Sequence, residues 1–275
     1  GLLAVRDNPE HAAAMAEHAI GAIDLVVVNL YPFEATVAKG AERDEVIENI
    51  DIGGPSMVRS AAKNHGYVTI LNDAADYSAF LGELEQTGGA TTLAFRKTMA
   101  AKAYAATAAY DAAISQWFAT VDQNEHFPPV LASAHMRVTT LRYGENPHQD
   151  AALYVPRNPV VTGLPQATQV QGKELSYNNY NDANAALELI AEFTGAKPTV
   201  VIVKHANPCG VATADTLLDA WKAALECDSV SAFGGIVATN VPLDGPTANA
   251  ICEIFTEVVV AAGADHAAKA AFERK

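Results

Sequence analysis

The run IDLVVVNL at residues 23–30 decides the fold class, because a mostly apolar run of this length is typical of a buried strand. An alanine-rich segment at residues 7–20 precedes this run and predicts a helix. The same succession recurs along the chain. Further strands are predicted at residues 67–71, 199–203, 236–239 and 257–261, and further helices at residues 43–49, 56–64, 76–85, 93–119, 215–226 and 247–255. Such alternation predicts an α/β fold with a parallel sheet.

Residues 122–135 interrupt the alternation. Within them the segment NEHFPP, at residues 124–129, is polar and ends in two prolines, which is typical of a linker. We therefore predict one domain at residues 1–128 and a second domain at residues 129–275.

The composition is that of a globular protein and limits its partners. Of the 275 residues 50% are apolar and 18% are charged, which is enough for an apolar core. The net charge of −14 excludes a simple nucleic-acid-binding protein, because such a protein carries a basic face. The charge still allows a small anionic substrate, held by a few local lysines and arginines.

The cysteines point to a reducing compartment. Cys209, Cys227 and Cys252 are odd in number and include no closely spaced pair, which argues against a disulfide framework and against a zinc site. No run approaches the ~18 apolar residues of a membrane span, and no segment has the pattern of a signal peptide. We expect a cytoplasmic protein with no membrane partner.

A first candidate motif lies where the apolar run ends. Tyr31 and Phe33 flank Pro32 at the carboxyl end of the predicted strand, the edge at which ligands bind in open α/β sheets. Tyr31 could donate a hydrogen bond to a substrate there. Aromatic core residues beside a turn are the alternative, and residue spacing alone favours that alternative.

A second motif, IDIGGPSMVRSAAKNH, occupies residues 50–65. Gly53, Gly54 and Pro55 predict a turn that leads into a helix, whose bare N–H groups and positive dipole end would favour an anion or an oxyanion. Asp51 precedes the turn and Lys63 follows on the helix, so a carboxylate and an ammonium could converge at it. A helix cap with a solvated basic face is an equally good interpretation.

The third motif, KHANPCG, follows the predicted strand at residues 199–203. Lys204 and His205 stand at its carboxyl end, and a neighbouring cation would keep the imidazole neutral and able to act as a base. A turn is predicted over the residues that follow. Pro208-Cys209 resembles the start of the Pro-Cys-x-x-Cys zinc motif of deaminases, but Ala212 replaces the second cysteine, so Cys209 is expected to be a packed residue.

Three further segments could contact a nucleotide. Arg142, in LRYGENPHQ at residues 141–149, could clamp a phosphate. The amides that end QGKELSYNN at residues 171–179 could bind a base or a carboxamide. Phe233, in SAFGG at residues 231–235, could stack on a planar ring. Taken alone, each of these segments is more simply interpreted as an ordinary loop.

Together the motifs resemble one family. NLYPFE, IDIGGPSMVRSAAKNH, KAYAATAAYD, LRYGENPHQ, QGKELSYNN, VKHANPCGVA and SAFGGIVA follow the order of the bifunctional purine-biosynthesis enzymes that join AICAR formyltransferase to IMP cyclohydrolase. The resemblance extends over the whole chain, and its long ungapped motifs make it specific.

The resemblance implies a fold and two activities. The first domain would be similar to methylglyoxal synthase, with a parallel sheet, and would close formyl-AICAR to IMP. The second would be a cytidine-deaminase-like α/β domain, the first half of a duplicated unit. It would transfer the formyl group of 10-formyltetrahydrofolate to AICAR. The resemblance further implies a homodimer and no catalytic metal, and it leaves open a structural monovalent cation.

The resemblance also assigns residues. For ring closure it implies Tyr31, Asp51 and Lys63 as proton shuttles, with Gly53 and Gly54 stabilising the oxyanion. For formyl transfer it implies His205 as the base and Lys204 as the stabiliser of negative charge. The implied nucleotide contacts are Arg142 (near the phosphate), Tyr143, Asn179, Phe233, Gly234 and Glu257. In the family this second site is shared across a homodimer, so Arg142 and Asn179 could serve the neighbouring subunit.

The extent of the chain departs from the family pattern. It opens at Gly1 without Met, and it lacks an earlier phosphate-binding segment with another catalytic lysine as well as a second deaminase-like half. We therefore expect this chain alone to be weakly active or inactive. Two alternatives remain: a fragment that binds nucleotide or dimerises without turnover, and a zinc deaminase, against which the missing second cysteine argues.

Overall fold

The computed structural model describes residues 1–157 and 163–274. The chain forms two compact units, Gly1–Ala134 and His135–Lys275. No helix in the described residues is long and apolar enough to cross a membrane.

The first unit is built of six helices and two short strands among its described residues. These are α1 (Pro9–Glu17), β1 (Leu25–Val27), α2 (Phe33–Ala38), α3 (Arg43–Glu48), α4 (Gly53–Lys63), β2 (Thr69–Leu71), α5 (Tyr77–Thr87) and α6 (Leu93–Trp117). The strands β1 and β2 pair in parallel, with Val26 opposite Ile70. The predicted alternation and the parallel pairing are therefore confirmed in this unit.

Two apolar clusters hold the first unit together. In one cluster α4 and α6 pack on the strands, and Val58, Ile70 and Ala103 are buried there. In the other, Phe33 meets the far end of α6, where its ring lies edge-on to the rings of Tyr110 and Trp117 at 6.1 Å in each case. The second cluster places α2 and α3, and with them the segment that precedes α4, against the long helix.

Two predictions for the first unit were wrong. The predicted buried strand at residues 23–30 is only Leu25–Val27, and its burial is one-sided: Val26 is buried, whereas Leu25 and Val27 are 39% and 47% exposed. Successive side chains of a strand point to opposite faces, so Val26 faces the core while Leu25 and Val27 share the more exposed face. Gly53, predicted in a turn, is the first residue of α4.

The second unit contains six strands and four helices among its described residues. These are β3 (His135–Leu141), β4 (Ala151–Pro156), α7 (Tyr177–Ala191), β5 (Thr199–Lys204), β6 (Asn207–Thr213), α8 (Leu217–Cys227), β7 (Gly235–Thr239), α9 (Gly245–Ile251), β8 (Thr256–Ala261) and α10 (His266–Phe272). The strands β3 and β4 form an antiparallel hairpin. The other four form one sheet in the order β6-β5-β7-β8.

This sheet is covered on both faces, which explains the apolar runs of its strands. Val201, Val203 and Ile236 pack against α7. The alternate residues Val200 and Ile202 face the opposite cluster, to which α8, α9 and α10 contribute. Alternate residues of a strand thus enter two cores, as continuous apolar strands require.

The strands of this sheet run in mixed directions. β5 is antiparallel to both β6 and β7, and only β7 and β8 are parallel within the described sheet. The reason is local: a two-residue turn at His205 and Ala206 joins β5 directly to β6, so no crossover helix intervenes. The turn predicted over Asn207–Gly210 was therefore wrong, because those residues already belong to β6.

Candidate active sites

In the first unit, Asp51 is the centre of the candidate site. Its carboxylate accepts two backbone hydrogen bonds, from the N–H of Gly54 to Oδ1 at 2.7 Å and from the N–H of Tyr31 to Oδ2 at 3.2 Å. These bonds join the loop after β1 to the start of α4. They bring the backbone of Tyr31, the carboxylate of Asp51 and the backbone of Gly54 together.

Gly54 is a glycine because the carboxylate occupies the place of a side chain. A Cβ at this position would lie 2.4 Å from Asp51 Oδ2, far inside van der Waals contact. The absence of a side chain therefore lets the carboxylate of Asp51 reach the backbone of α4. This close approach, and not a left-handed conformation, is the requirement at this position.

Tyr110 holds the backbone on either side of Asp51, and the sequence did not point to this residue. Its hydroxyl accepts a hydrogen bond from the backbone N–H of Asp51 at 2.8 Å and donates one to the carbonyl of Asn49 at 3.0 Å. Burial raises the pKa of the Tyr110 hydroxyl, so the group keeps the proton that it donates. Tyr110 lies in the quoted motif KAYAATAAYD, but nothing in that motif indicates a partner 59 residues away.

The amino end of α4 offers fewer donors than predicted. The N–H of Gly54 is taken by Asp51, and Pro55 has none. The N–H of Gly53 has no partner among the described residues. The amino end of α4 thus offers fewer bare N–H groups than predicted, because Asp51 takes that of Gly54 and Pro55 has none.

The structure does not bring Lys63 to this point. α4 has 11 residues, and at about 1.5 Å of rise per residue its two ends lie ~15 Å apart. Lys63 is the last residue of the helix and is exposed, whereas Asp51 precedes the first. The predicted convergence of carboxylate and ammonium at the turn is therefore not seen. The Tyr31 side chain is 57% exposed, and its hydroxyl has no partner among the described residues.

In the second unit, the candidate site begins where β5 ends. The ammonium of Lys204 donates a hydrogen bond to the carbonyl of Gly234 at 2.7 Å. Gly234 has a φ of +68°, and a Cβ there would lie 2.9 Å from Lys204 Nζ. The neighbouring Phe233 is 64% exposed, and its ring packs against that of Phe255, with ring centroids 5.6 Å apart. The structure thus brings Lys204, Gly234 and an exposed aromatic ring together.

His205 stands beside this group in an unusual turn. His205 and Ala206 have φ values of +52° and +58°, the left-handed region that side chains disfavour. The carboxylate of Asp182 accepts the backbone N–H of His205 at 3.2 Å and that of Ala206 at 3.0 Å. The sequence analysis missed Asp182. Its position one helical turn after Asn179, in the same polar segment, was the available signal.

Asn179 and Glu257 contact each other. The side-chain amide of Asn179 donates to Glu257 Oε2 at 2.7 Å, and its Oδ1 accepts from the backbone N–H and the hydroxyl of Ser176. Asn179 therefore completes the cap of α7 while it orients the exposed carboxylate of Glu257. Both residues, expected to contact a nucleotide, lie at the amino end of α7.

Arg142 and Tyr143 lie in the loop between β3 and β4. The Arg142 guanidinium is exposed and lies over the Tyr143 ring, 5.8 Å from its centroid. The loop approaches α7 through a hydrogen bond of 3.5 Å from the Asn178 amide to the carbonyl of Glu145. No hydrogen bond or ion pair joins Arg142 to Lys204 in the described part of the chain.

Cys209 behaves as a packed residue. Its Sγ lies 3.6 Å from the carbonyl of Ile202, and burial raises the pKa of its thiol, which therefore stays protonated. Within residues 1–157 and 163–274 no group of three or more His, Cys, Asp or Glu side chains is arranged to hold a metal ion.

Comparison with known proteins relates both units to one family. A family model described as "AICARFT/IMPCHase bienzyme" matches residues 61–275, and one described as "MGS-like domain" matches residues 4–56. The bifunctional purine biosynthesis protein PurH of Dinoroseobacter shibae is 60% identical to this chain; the alignment covers 100% of this chain and 52% of that protein. PurH of Parvibaculum lavamentivorans is also 60% identical, over 98% of this chain and 50% of its own.

The chain thus spans about half the length of the curated relatives that it matches. Among solved structures, the crystal structure of ForH is 37% identical, with a TM-score of 0.36, and the match covers 42% of this chain and 60% of that one.

Proposed function

Because the chain belongs to the AICARFT/IMPCHase bienzyme family, we propose that the protein catalyses two consecutive steps of purine biosynthesis. The second unit transfers the formyl group of 10-formyltetrahydrofolate to the amine of AICAR. The first unit then closes formyl-AICAR to IMP with loss of water. The names of the PurH relatives favour this catalytic role over a fragment that binds nucleotide without turnover.

The observation that carries the proposal is the arrangement around Lys204 and His205. The two residues follow each other at the end of β5, beside the exposed ring of Phe233 and the backbone of Gly234. The Lys204 ammonium lies against Gly234, the chain neighbour of Phe233, and His205 follows Lys204, so an ammonium, an imidazole and an aromatic ring are available near one another for a planar nucleotide base that carries a reacting amine.

In formyl transfer, the amine nitrogen of AICAR attacks the formyl carbon. His205 takes the proton of the amine, and Lys204 stabilises the negative charge that develops on the formyl oxygen. The ammonium of Lys204 uses one of its three donors on the carbonyl of Gly234, so two remain for substrate. The bond between the formyl carbon and the folate nitrogen then breaks, and that nitrogen takes a proton.

Other residues of the second unit hold the nucleotide in this proposal. Phe233 stacks on the imidazole ring, and Gly234 lets the backbone approach it. Arg142 binds the phosphate and Tyr143 supports it, since the Arg142 guanidinium is exposed over that ring. Asn179 and Glu257 act as one hydrogen-bonded pair.

In ring closure, the carboxamide nitrogen attacks the formyl carbon and water leaves. Asp51 accepts the proton of that nitrogen from a position fixed by two backbone N–H groups. The unpartnered hydroxyl of Tyr31 donates to the formyl oxygen, and Gly53 offers its N–H as an oxyanion donor. Lys63 is assigned to the same reaction by the family resemblance, although it lies at the far end of the helix.

The proposal includes finer features that the family resemblance supports. The second unit is the first part of a deaminase-like duplication, in which Pro208-Cys209 begins β6 without the second cysteine of a zinc motif. The protein acts in the cytoplasm as a homodimer that shares the formyltransferase site, and it needs no metal for catalysis.

The test is an assay of both reactions on the protein as its gene encodes it. Formyl-AICAR should appear from AICAR and 10-formyltetrahydrofolate, and IMP should appear from added formyl-AICAR. Lys204→Met should abolish the first reaction and spare the second. A protein that performs neither reaction would contradict the proposed function.

A further inference from the structure

Asp182 makes an unusual pair of contacts. From α7 its carboxylate reaches the turn between β5 and β6, where Oδ2 accepts the N–H of His205 at 3.2 Å and Oδ1 accepts the N–H of Ala206 at 3.0 Å. Both carboxylate oxygens are therefore used on consecutive backbone groups of one turn. The carboxylate is half-buried, and it belongs to a helix that packs on β5.

The turn that Asp182 contacts has a backbone conformation that is unfavourable for the two residues in it. A two-residue hairpin in which both central residues have positive φ favours Asn-Gly or Gly-Gly, because a Cβ is strained in that region. Here the two residues are His205, at +52°, and Ala206, at +58°. Neither is a glycine, so the conformation needs support from outside the turn. The paired hydrogen bonds to a charged acceptor supply that support.

The same turn sets the direction of the His205 side chain. The imidazole of His205 has no hydrogen-bond partner among the described residues, so the backbone of the turn, which fixes the direction of the Cα–Cβ bond, is what sets where the side chain projects. Asp182 does not form a carboxylate–imidazole pair with it, because its oxygens bond to the backbone. It therefore acts on the conformation of His205 and not on its proton.

We propose that Asp182 is a positioning residue for formyl transfer: it holds the left-handed turn that aims the imidazole of His205 at the substrate. The inference rests on the proposed function of His205 in formyl transfer. Asp182 itself touches neither substrate in the proposed mechanism.

The central test is a rescue by glycine. Asp182→Ala should lower kcat for formyl transfer by roughly tenfold, since two charge-assisted hydrogen bonds that stabilise the turn are lost. Alanine favours helix, so α7 should remain intact. Ala206 is exposed, and a glycine there removes the strain without removing any packing. The double variant Asp182→Ala with Ala206→Gly should recover most of the lost kcat.

Two controls separate positioning from a general loss of structure. Glu188→Ala removes another carboxylate from the exposed surface of α7 and should leave both reactions unchanged. Ring closure by the first unit should be unchanged in every variant. Amide hydrogen exchange at His205 and Ala206 should become faster in Asp182→Ala, whether or not activity is measured.

Each outcome has a distinct meaning. Full formyl-transfer activity in Asp182→Ala, or unchanged exchange at the turn, would overturn the inference. A loss that Ala206→Gly does not recover would also overturn it, because Asp182 would then act by some other route. If the unsubstituted protein lacks formyl transfer, the proposed function fails, while the exchange measurement still decides whether Asp182 holds the turn.

Discussion

Gly54→Ala is the substitution that most cleanly separates stability from ring closure. A Cβ at this position would lie 2.4 Å from Oδ2 and 2.8 Å from Cγ of Asp51, so the carboxylate must move away. The backbone of Gly54 is helical and its φ is not positive, and the three atoms nearest to the would-be Cβ all belong to the carboxyl group of Asp51. The variant thus displaces the carboxylate of Asp51 while its chemical identity is retained.

The expected change in stability is modest. Displacing the carboxylate loses the hydrogen bonds from the N–H groups of Gly54 and Tyr31, each a charge-assisted bond that contributes about 1.5 kcal/mol. Alanine is more favourable than glycine in a helix by about 1 kcal/mol. The two effects oppose each other, and the free energy of unfolding should fall by about 2 kcal/mol.

The expected change in ring closure is large. A positioned general acid or base contributes at least about 100-fold to a rate, which is about 3 kcal/mol of activation free energy. We therefore expect kcat for the conversion of formyl-AICAR to IMP to fall by about that factor, and formyl transfer to be unchanged. The assay follows IMP by chromatography, and thermal unfolding of the same samples reports stability.

A matched control lies in α5. Gly82 has no atom within 4 Å of its would-be Cβ, so Gly82→Ala should keep both activities and should unfold at a slightly higher temperature. If Gly54→Ala closes the ring within threefold of the unsubstituted rate, Asp51 does not act from the position seen here, and the account of the first site is refuted.

Three further predictions concern neighbouring groups. Tyr110→Phe leaves the N–H of Asp51 without a partner, so thermal unfolding should show a loss of about 1–3 kcal/mol, together with slower ring closure and unchanged formyl transfer. Gly234→Ala places a methyl group 2.9 Å from the ammonium of Lys204 at a φ of +68°, so steady-state assays should show formyl transfer reduced and ring closure spared. Lys63→Ala should slow ring closure alone; equal losses in both reactions would contradict its assignment.

Much of the second unit was predictable from its apolar runs. The strands at residues 199–203, 236–239 and 257–261 were predicted within a residue of their observed bounds, because each fills two cores and therefore carries no polar face. Strand direction was not predictable in the same way. It depends on whether a turn or a helix joins two strands, and the His205-Ala206 turn lacks the glycine that usually signals a tight hairpin.

In the candidate sites, too, contacts within one motif were easier to predict than contacts between distant parts of the chain. Asp51 and Gly54, which stand close together in one motif, contact each other in the structure. Tyr110 and Asp182 were not found, because they lie far along the chain from the groups they contact. The start of α4 at Gly53 was missed for a related reason: the prediction treated two glycines and a proline as a break, whereas proline suits the first turn of a helix.

In the proposed mechanism two separate chemistries reside in the two units, and His205 is the base of one of them. The formyl-transfer rate of His205→Ala, measured together with ring closure in the same preparation, tests this division. Formyl transfer should fall by at least about 100-fold while formyl-AICAR is still converted to IMP at the unsubstituted rate. Formyl transfer that survives unchanged in His205→Ala would show that His205 is not the base.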